Sequence, residues 1–206
     1  ECDPVSAFGG IVAVNLEIDA ETARGISEVF VEVVAAPGYT DEALAILSAK
    51  KKVRLLKVTP VKPAPVLKIV TGGFLVQGSD ALAVERAAMR SVGKRQPNEE
   101  EWEQLLFAWR VVKHVKSNAI VLARDHAAVG VGAGQMSRVE SVRLAAERAG
   151  DRAQGTVLAS DAFFPMPDGV EAAADAGVTA IIQPGGSIKD PDVLGVADAR
   201  GVAMVY

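Results

Sequence analysis

The segment from Lys116 to Arg138, KSNAIVLARDHAAVGVGAGQMSR, leaves this chain few ways to fold. Ala119 to Ala123 is a short apolar run rich in β-branched residues and reads as a strand. Asp125 and His126 open a turn into a second strand at Val129 to Val131, so the two make a hairpin. The chain then passes Gly132, Ala133 and Gly134 and begins a helix near Ser137, whose apolar positions Val139, Val142, Leu144 and Ala146 run to a stop at Gly150. A glycine-lined helix start has two readings. It admits a ligand close to the main chain, with first-turn amides and the planar guanidinium of Arg138 offered to a phosphate, carboxylate or carboxamide. Alternatively, the glycines supply only positive φ and the arginine is solvated.

The last third of the chain is two consecutive β-loop-α units: strand Val157 to Ser160, the loop DAFFPMPD and helix Gly169 to Ala176, then strand Val178 to Gln183, the loop PGGSIKD and helix Pro191 to Arg200, with Val202 to Tyr206 as a final strand. Right-handed crossovers bring the loops Asp161 to Asp168 and Pro184 to Asp190 together at the carboxyl edge of a parallel sheet, where α/β folds bind ligands. Each loop also has a purely structural reading. Ser160 and Asp161 can close the strand, Asp168 can cap its helix, and Gly185 and Gly186 can serve a turn. Phe163 and Phe164 point apart, so one can be core while the other faces the cleft.

Upstream, strands Gly10 to Val14, Phe30 to Ala35 and Val53 to Val58 alternate with helices Ala20 to Ile26 and Asp41 to Lys50, followed by strands Val66 to Val70 and Phe74 to Gln77. This alternation argues for an α/β sandwich. The stretch GKRQPNEEE, Gly93 to Glu101, reads as the break before a second lobe, giving lobes 1–95 and 96–206. Trp102, Leu105, Leu106, Trp109 and Val112 then recur at helical spacing and read as core anchors.

Half of the 206 residues are hydrophobic and 23% are charged, enough to bury a core, while no apolar run reaches the roughly 20 residues of a membrane-spanning helix. The net charge of −4 and the scarcity of aromatics argue against a nucleic-acid binder. Lys50, Lys51, Lys52 and Arg54 read as a solvated helix end. The single cysteine, Cys2, is compatible with a reducing compartment, and a cytoplasmic protein is expected.

The words KSNAIV, GVGAGQMSR, LASDAFFP and QPGGSIKD closely resemble the transformylase portion of the bifunctional AICAR (5-aminoimidazole-4-carboxamide ribonucleotide) formyltransferase/IMP cyclohydrolase family. Their order matches from DPVSAFGGIVAVN near the start to GVAMVY at the end, so the resemblance spans the chain. It implies layered, cytidine-deaminase-like α/β lobes with mixed sheets and flanking helices, and formyl transfer from 10-formyltetrahydrofolate to AICAR in de novo purine synthesis. It also implies a homodimer. The cyclohydrolase domain is not represented.

Residue by residue, the resemblance implies Asp3, Asn118, Arg138 and Phe163 on the AICAR side, with Asn118 orienting the reacting amine. It implies Val139, Asp168, Ser187 and Ile188 on the folate side, where an ionised Asp168 can take paired hydrogen bonds from a pterin. Members commonly read DAFFPFRDG, so Met166 and Pro167 depart from the pattern. The family also carries a Lys-His pair upstream of the segment matching Glu1 and an Arg- and His-containing stretch beyond the equivalent of Tyr206. Formyl transfer needs a proton acceptor. His114 projects away from its helix's core stripe and His126 sits in the hairpin turn, so the general base is expected outside this chain, and the chain alone is expected to be inactive. With one cysteine and neither H-x-E nor P-C-x-x-C, a catalytic zinc is not expected. GVGAGQ lacks the spacing of a dinucleotide fingerprint. The reading from a different class is a nonenzymatic nucleotide-binding or assembly module that keeps the fold.

Overall fold

The computed structural model describes residues 3, 6–59, 62–80 and 85–206. They form two compact units, one within residues 3–82 and the other within 83–206. In the first, β1 (Gly10–Ala13), α1 (Ala20–Ser27), β2 (Val31–Ala36), α2 (Asp41–Ser48) and β3 (Arg54–Lys57) alternate as expected, followed by β4 (Val66–Val70) and β5 (Gly73–Gln77). The first three strands pair in parallel in chain order. Asp19 and Thr40 begin the two helices by accepting the amide hydrogens of Thr22 and Ala43. Ile18, Ala23, Val34, Ala43 and Leu47 form the core. The lysines after α2 are exposed, as expected, and with Phe30 and Leu47 they line a cavity of about 290 Å³.

β4 and β5 make a separate two-stranded hairpin. Its register sets Leu67 opposite Val76 and Ile69 opposite Phe74, so these four share one face. They are 63%, 61%, 90% and 66% exposed, in that order.

The second unit contains α3 (Glu99–Val112), β6 (Ile120–Arg124), β7 (Ala127–Gly132), α4 (Arg138–Ala149), β8 (Val157–Ser160), α5 (Asp168–Asp175), β9 (Ala180–Ile182), α6 (Asp190–Ala199) and β10 (Ala203–Val205). Its five strands lie in the order β10-β9-β8-β6-β7, with β8, β9 and β10 parallel and β6 antiparallel to both neighbours. Alternate residues of each strand face opposite layers. Ile120, Leu122, Leu158, Ile181 and Met204 pack with α4, α5 and α6, while Val121, Ala159, Ile182 and Val205 pack with α3. Trp102 and Trp109 belong to the α3 side, as core anchors should. A capping box fixes the start of α3: Asn98 Oδ1 accepts the Glu101 amide and Glu101 Oε2 accepts the Asn98 amide.

Two expectations change here. Mixed sheets were expected in both lobes, but only the five-stranded sheet is mixed; among the described residues the three-stranded sheet is wholly parallel. Residues 85–95, read from the sequence as the end of the first lobe, fold with the second unit. Arg90 and Tyr206 exchange backbone hydrogen bonds of 2.6 and 2.8 Å, and Ser91 bridges Val205, contacts too distant in sequence for a local pattern to reveal. Cys2 lies outside the described residues. Among the described residues no helix is long and apolar enough to cross a membrane.

Candidate functional site

Topology gathers the loops of the second unit at one sheet edge. β8 and β9 are parallel neighbours, so residues 161–167 and 183–189 leave the sheet at the same end. β6 runs the other way with Ile120 opposite Ser160, so Asn118 and Ala119 enter there too. Gly132 pairs with Ile120 and releases residues 133–137 from the same end.

A buried polar network knits this edge together. Asp161 Oδ1 accepts the Ala119 amide at 2.8 Å and Arg138 Nη1 at 2.6 Å. Arg138 Nη1 also donates to Ser160 Oγ, and Nη2 donates to Asn118 Oδ1, both at 2.9 Å. Asn118 Nδ2 in turn donates to the carbonyls of Gln135 (2.9 Å) and Met136 (3.3 Å), while Ser141 Oγ donates to the Asn118 carbonyl at 2.9 Å. The Arg138 and Asp161 side chains are only 6% and 17% exposed. Burial pushes the Asp161 carboxyl upward, but hydrogen bonds from Ser117, Arg138 and the Ala119 amide outweigh it and hold the group below its ordinary value. Asn118 Oδ1 keeps a lone pair beyond the one given to Arg138, while both amide hydrogens are committed.

The glycines before α4 have a packing cause. A Cβ on Gly130 would stand 2.1 Å from the Ala145 carbonyl oxygen, and one on Gly132 would stand 1.9 Å from that of Ser141. Close approach at Gly132 therefore serves helix α4 and not a ligand, which corrects the ligand reading for that residue. Gly134 has φ +66° and supplies a left-handed turn. The first turn of α4 is not wholly open either, since Ser137 Oγ accepts the Glu140 amide. Arg138 is not the solvated arginine of the second sequence reading, because Asp161 draws it inward.

Phe164 is fully buried and Phe163 is 40% exposed, so the pair divides as expected. Asp168 does not cap its helix. It is the exposed first residue of α5, the capping position belongs to Pro167, and Oδ1 accepts the adjacent Gly169 amide at 2.8 Å. Gly185 and Gly186 adopt φ of +67° and +98°, as their turn requires. Ser187 is half-buried and accepts the Lys189 amide, Ile188 is 98% exposed, and half-buried Val139 directly follows Arg138. Met136 and Met166, on the adjoining loops, are 96% and 50% exposed. Asp3 lies in the first unit, where its carboxylate accepts the Ser6 amide at 2.8 Å. His126 closes the turn at the far end of β6, roughly 20 Å from Asn118 at about 3.3 Å per residue. His114 is exposed just past α3.

Sequence reasoning missed two residues as organisers of this edge. Asp161 was read as a strand closer; its signal is a carboxylate following Ser160 at the end of an otherwise apolar strand. Gln183 is 1% exposed, and its Oε1 accepts the Phe164 amide at 2.8 Å, joining the loops after β8 and β9. Nothing local distinguishes it from a strand-end glutamine.

Residues 1–148 match the family model described as AICARFT/IMPCHase bienzyme. The chain belongs to that family. It is 57% identical over 209 aligned residues to a "Bifunctional purine biosynthesis protein PurH" from Anoxybacillus flavithermus, and 56% identical to the protein of that name from Bacillus mycoides. Each alignment covers all of this chain and 41% of the relative, so the chain spans about two fifths of these family members.

Proposed function

We propose that this chain is part of an AICAR transformylase, which moves the formyl group of 10-formyltetrahydrofolate onto the 5-amino group of AICAR in cytoplasmic purine synthesis. The amine nitrogen attacks the formyl carbon and a tetrahedral oxyanion forms. The amine loses a proton, and the bond to N10 of the folate breaks as N10 takes one up. No covalent enzyme intermediate is required. The observation that carries this reading is one juxtaposition: in a member of a purine-biosynthesis family, the Asn118–Arg138–Asp161 network shares one sheet edge with the loops that carry the exposed apolar side chains of Phe163, Met136 and Ile188.

In this reading the remaining lone pair of Asn118 Oδ1 orients the amine, Arg138 holds that amide from behind, and Phe163 offers a ring to the nucleotide base. Val139, Asp168, Ser187 and Ile188 face the folate, the cosubstrate. The proton acceptor comes from outside this chain, since His114 and His126 lie away from the edge. The helices on both faces of the mixed sheet support a cytidine-deaminase-like layering, and the bare apolar face of the β4–β5 hairpin is in keeping with a homodimer.

The test is steady-state formyl transfer by the intact protein and its Phe163→Ala variant. Loss of base stacking, about 1–3 kcal/mol, should lower kcat/KM for AICAR about fivefold or more. A wild-type protein that binds AICAR without turnover would favour the nonenzymatic nucleotide-binding module.

A further inference from the structure

The loop between β9 and α6, residues 183–189, rests on two side chains that the proposed chemistry does not use. Asp190 Oδ2 accepts the Gly186 amide at 2.8 Å, and the Asp190 amide donates to the Ser187 carbonyl at 3.1 Å, so one residue ties the loop at two points. On the other side lies Tyr206. A Cβ on Gly185 would stand 2.8 Å from the Tyr206 ring, which means that the loop backbone packs closely on that ring. Tyr206 is itself pinned by its paired backbone hydrogen bonds with Arg90.

Two oxygens here are conspicuous. Asp190 Oδ1 and the Tyr206 hydroxyl are both buried and, among the described residues, neither has a hydrogen-bond partner. Such atoms are rare because leaving a buried polar group unsatisfied forfeits its hydration without replacing it. One is an acceptor and the other a donor, and both are beside the same loop. Burial and the Asp190 charge push the Tyr206 phenol up, against a smaller opposing effect of Arg90, so the hydroxyl stays protonated and able to donate.

We propose that Asp190 and Tyr206 are positioning residues for the 183–189 loop: the carboxylate and the phenol, bridged by one water, form a buried polar clamp that fixes the loop in the shape presenting Ser187 and Ile188 to the folate. The proposal rests on the transformylase reading for its ligand, but the clamp itself does not depend on that reading.

The experiment combines amide hydrogen exchange over residues 184–189 with calorimetric titration of 10-formyltetrahydrofolate and of AICAR, using the intact protein. Asp190→Ala should speed exchange in the loop about tenfold or more and weaken folate about tenfold, a loss of ~1.4 kcal/mol, leaving AICAR affinity within about twofold. Asp190→Asn keeps an oxygen for the Gly186 amide and should recover most of both effects; a merely structural loss would not separate the two ligands in this way. Tyr206→Phe keeps the ring and removes the hydroxyl, and should move exchange and folate affinity in the same direction by less. Unchanged exchange in Asp190→Ala overturns the clamp. Faster exchange with unaltered folate affinity overturns its link to the cosubstrate. A wild-type protein that takes no folate refutes the functional reading and that link together, with the exchange arm still deciding the clamp.

Discussion

Removing the Asp161 carboxylate should destabilise this chain far more than its position at a strand end suggests. Asp161→Ala takes away the acceptor for Arg138 Nη1 and for the Ala119 amide and leaves the guanidinium buried beside Ser160 and Asn118. Breaking a buried ion pair by deleting one partner costs about 3–5 kcal/mol, and since 17% of the Asp161 side chain remains exposed, the lower end, about 3 kcal/mol, is appropriate. Urea unfolding of the wild type, both single alanine variants at 161 and 138, and the double variant forms a complete cycle. The double should cost clearly less than the sum of the singles, because no charge is then left stranded. The pH dependence has a definite sign. The folded-state pKa is depressed, so this carboxylate adds stability that is fully present above its unfolded value of about 3.9 and is lost as pH falls through the lower folded value. Unfolding measured below pH 4 should therefore show a smaller penalty for Asp161→Ala than at pH 7. An Asp161→Ala variant within about 0.5 kcal/mol of wild type, the range of ordinary surface changes, would refute the reasoning.

Asp168→Asn should weaken folate binding by roughly 1.5–3 kcal/mol in calorimetric titration, with AICAR affinity and melting temperature little changed, since the side chain does not cap α5; a lowered melting temperature alone would return it to a structural role. Gly132→Ala drives a methyl into the Ser141 carbonyl and should cost at least about 3 kcal/mol in urea unfolding or prevent folding. By contrast, Gly195→Ala, inside α6 with nothing within 4 Å of its Cβ, should stabilise by about 0.5–1 kcal/mol. Gln183→Leu orphans the Phe164 amide and should cost about 1–3 kcal/mol, with faster hydrogen exchange in residues 161–168.

What was legible in the sequence follows the range of the forces involved. Ser137 marks a helix start because capping is a contact over two or three residues, and the continuous apolar runs of β6 and β8 suit a sheet covered on both faces. The sharing of labour between Phe163 and Phe164 also needs only neighbouring side chains. The inward turn of Arg138 depends on Asp161, 23 residues away, and the Gln183 amide on Phe164, 19 residues away. Gly132 looked like room for a ligand because sequence cannot say which partner fills the space a missing side chain leaves. Residues 85–95 were assigned to the wrong neighbour for the same reason, their pairing with the last strand spanning more than a hundred positions.

The β4–β5 hairpin imposes a condition on how the protein must be handled, whatever its chemistry. Residues 73–77, GFLVQ, combine high strand propensity with no charge and no proline, and the cross-strand row through Ile69 and Phe74 is open to water. Such segments are the raw material of cross-β stacking. Lys68 lies on the opposite face from that row and offers it no charge repulsion. Shelf life in concentrated solution should thus be governed by this ribbon sooner than by global unfolding, and a single lysine in place of Ile69 is the economical way to extend it.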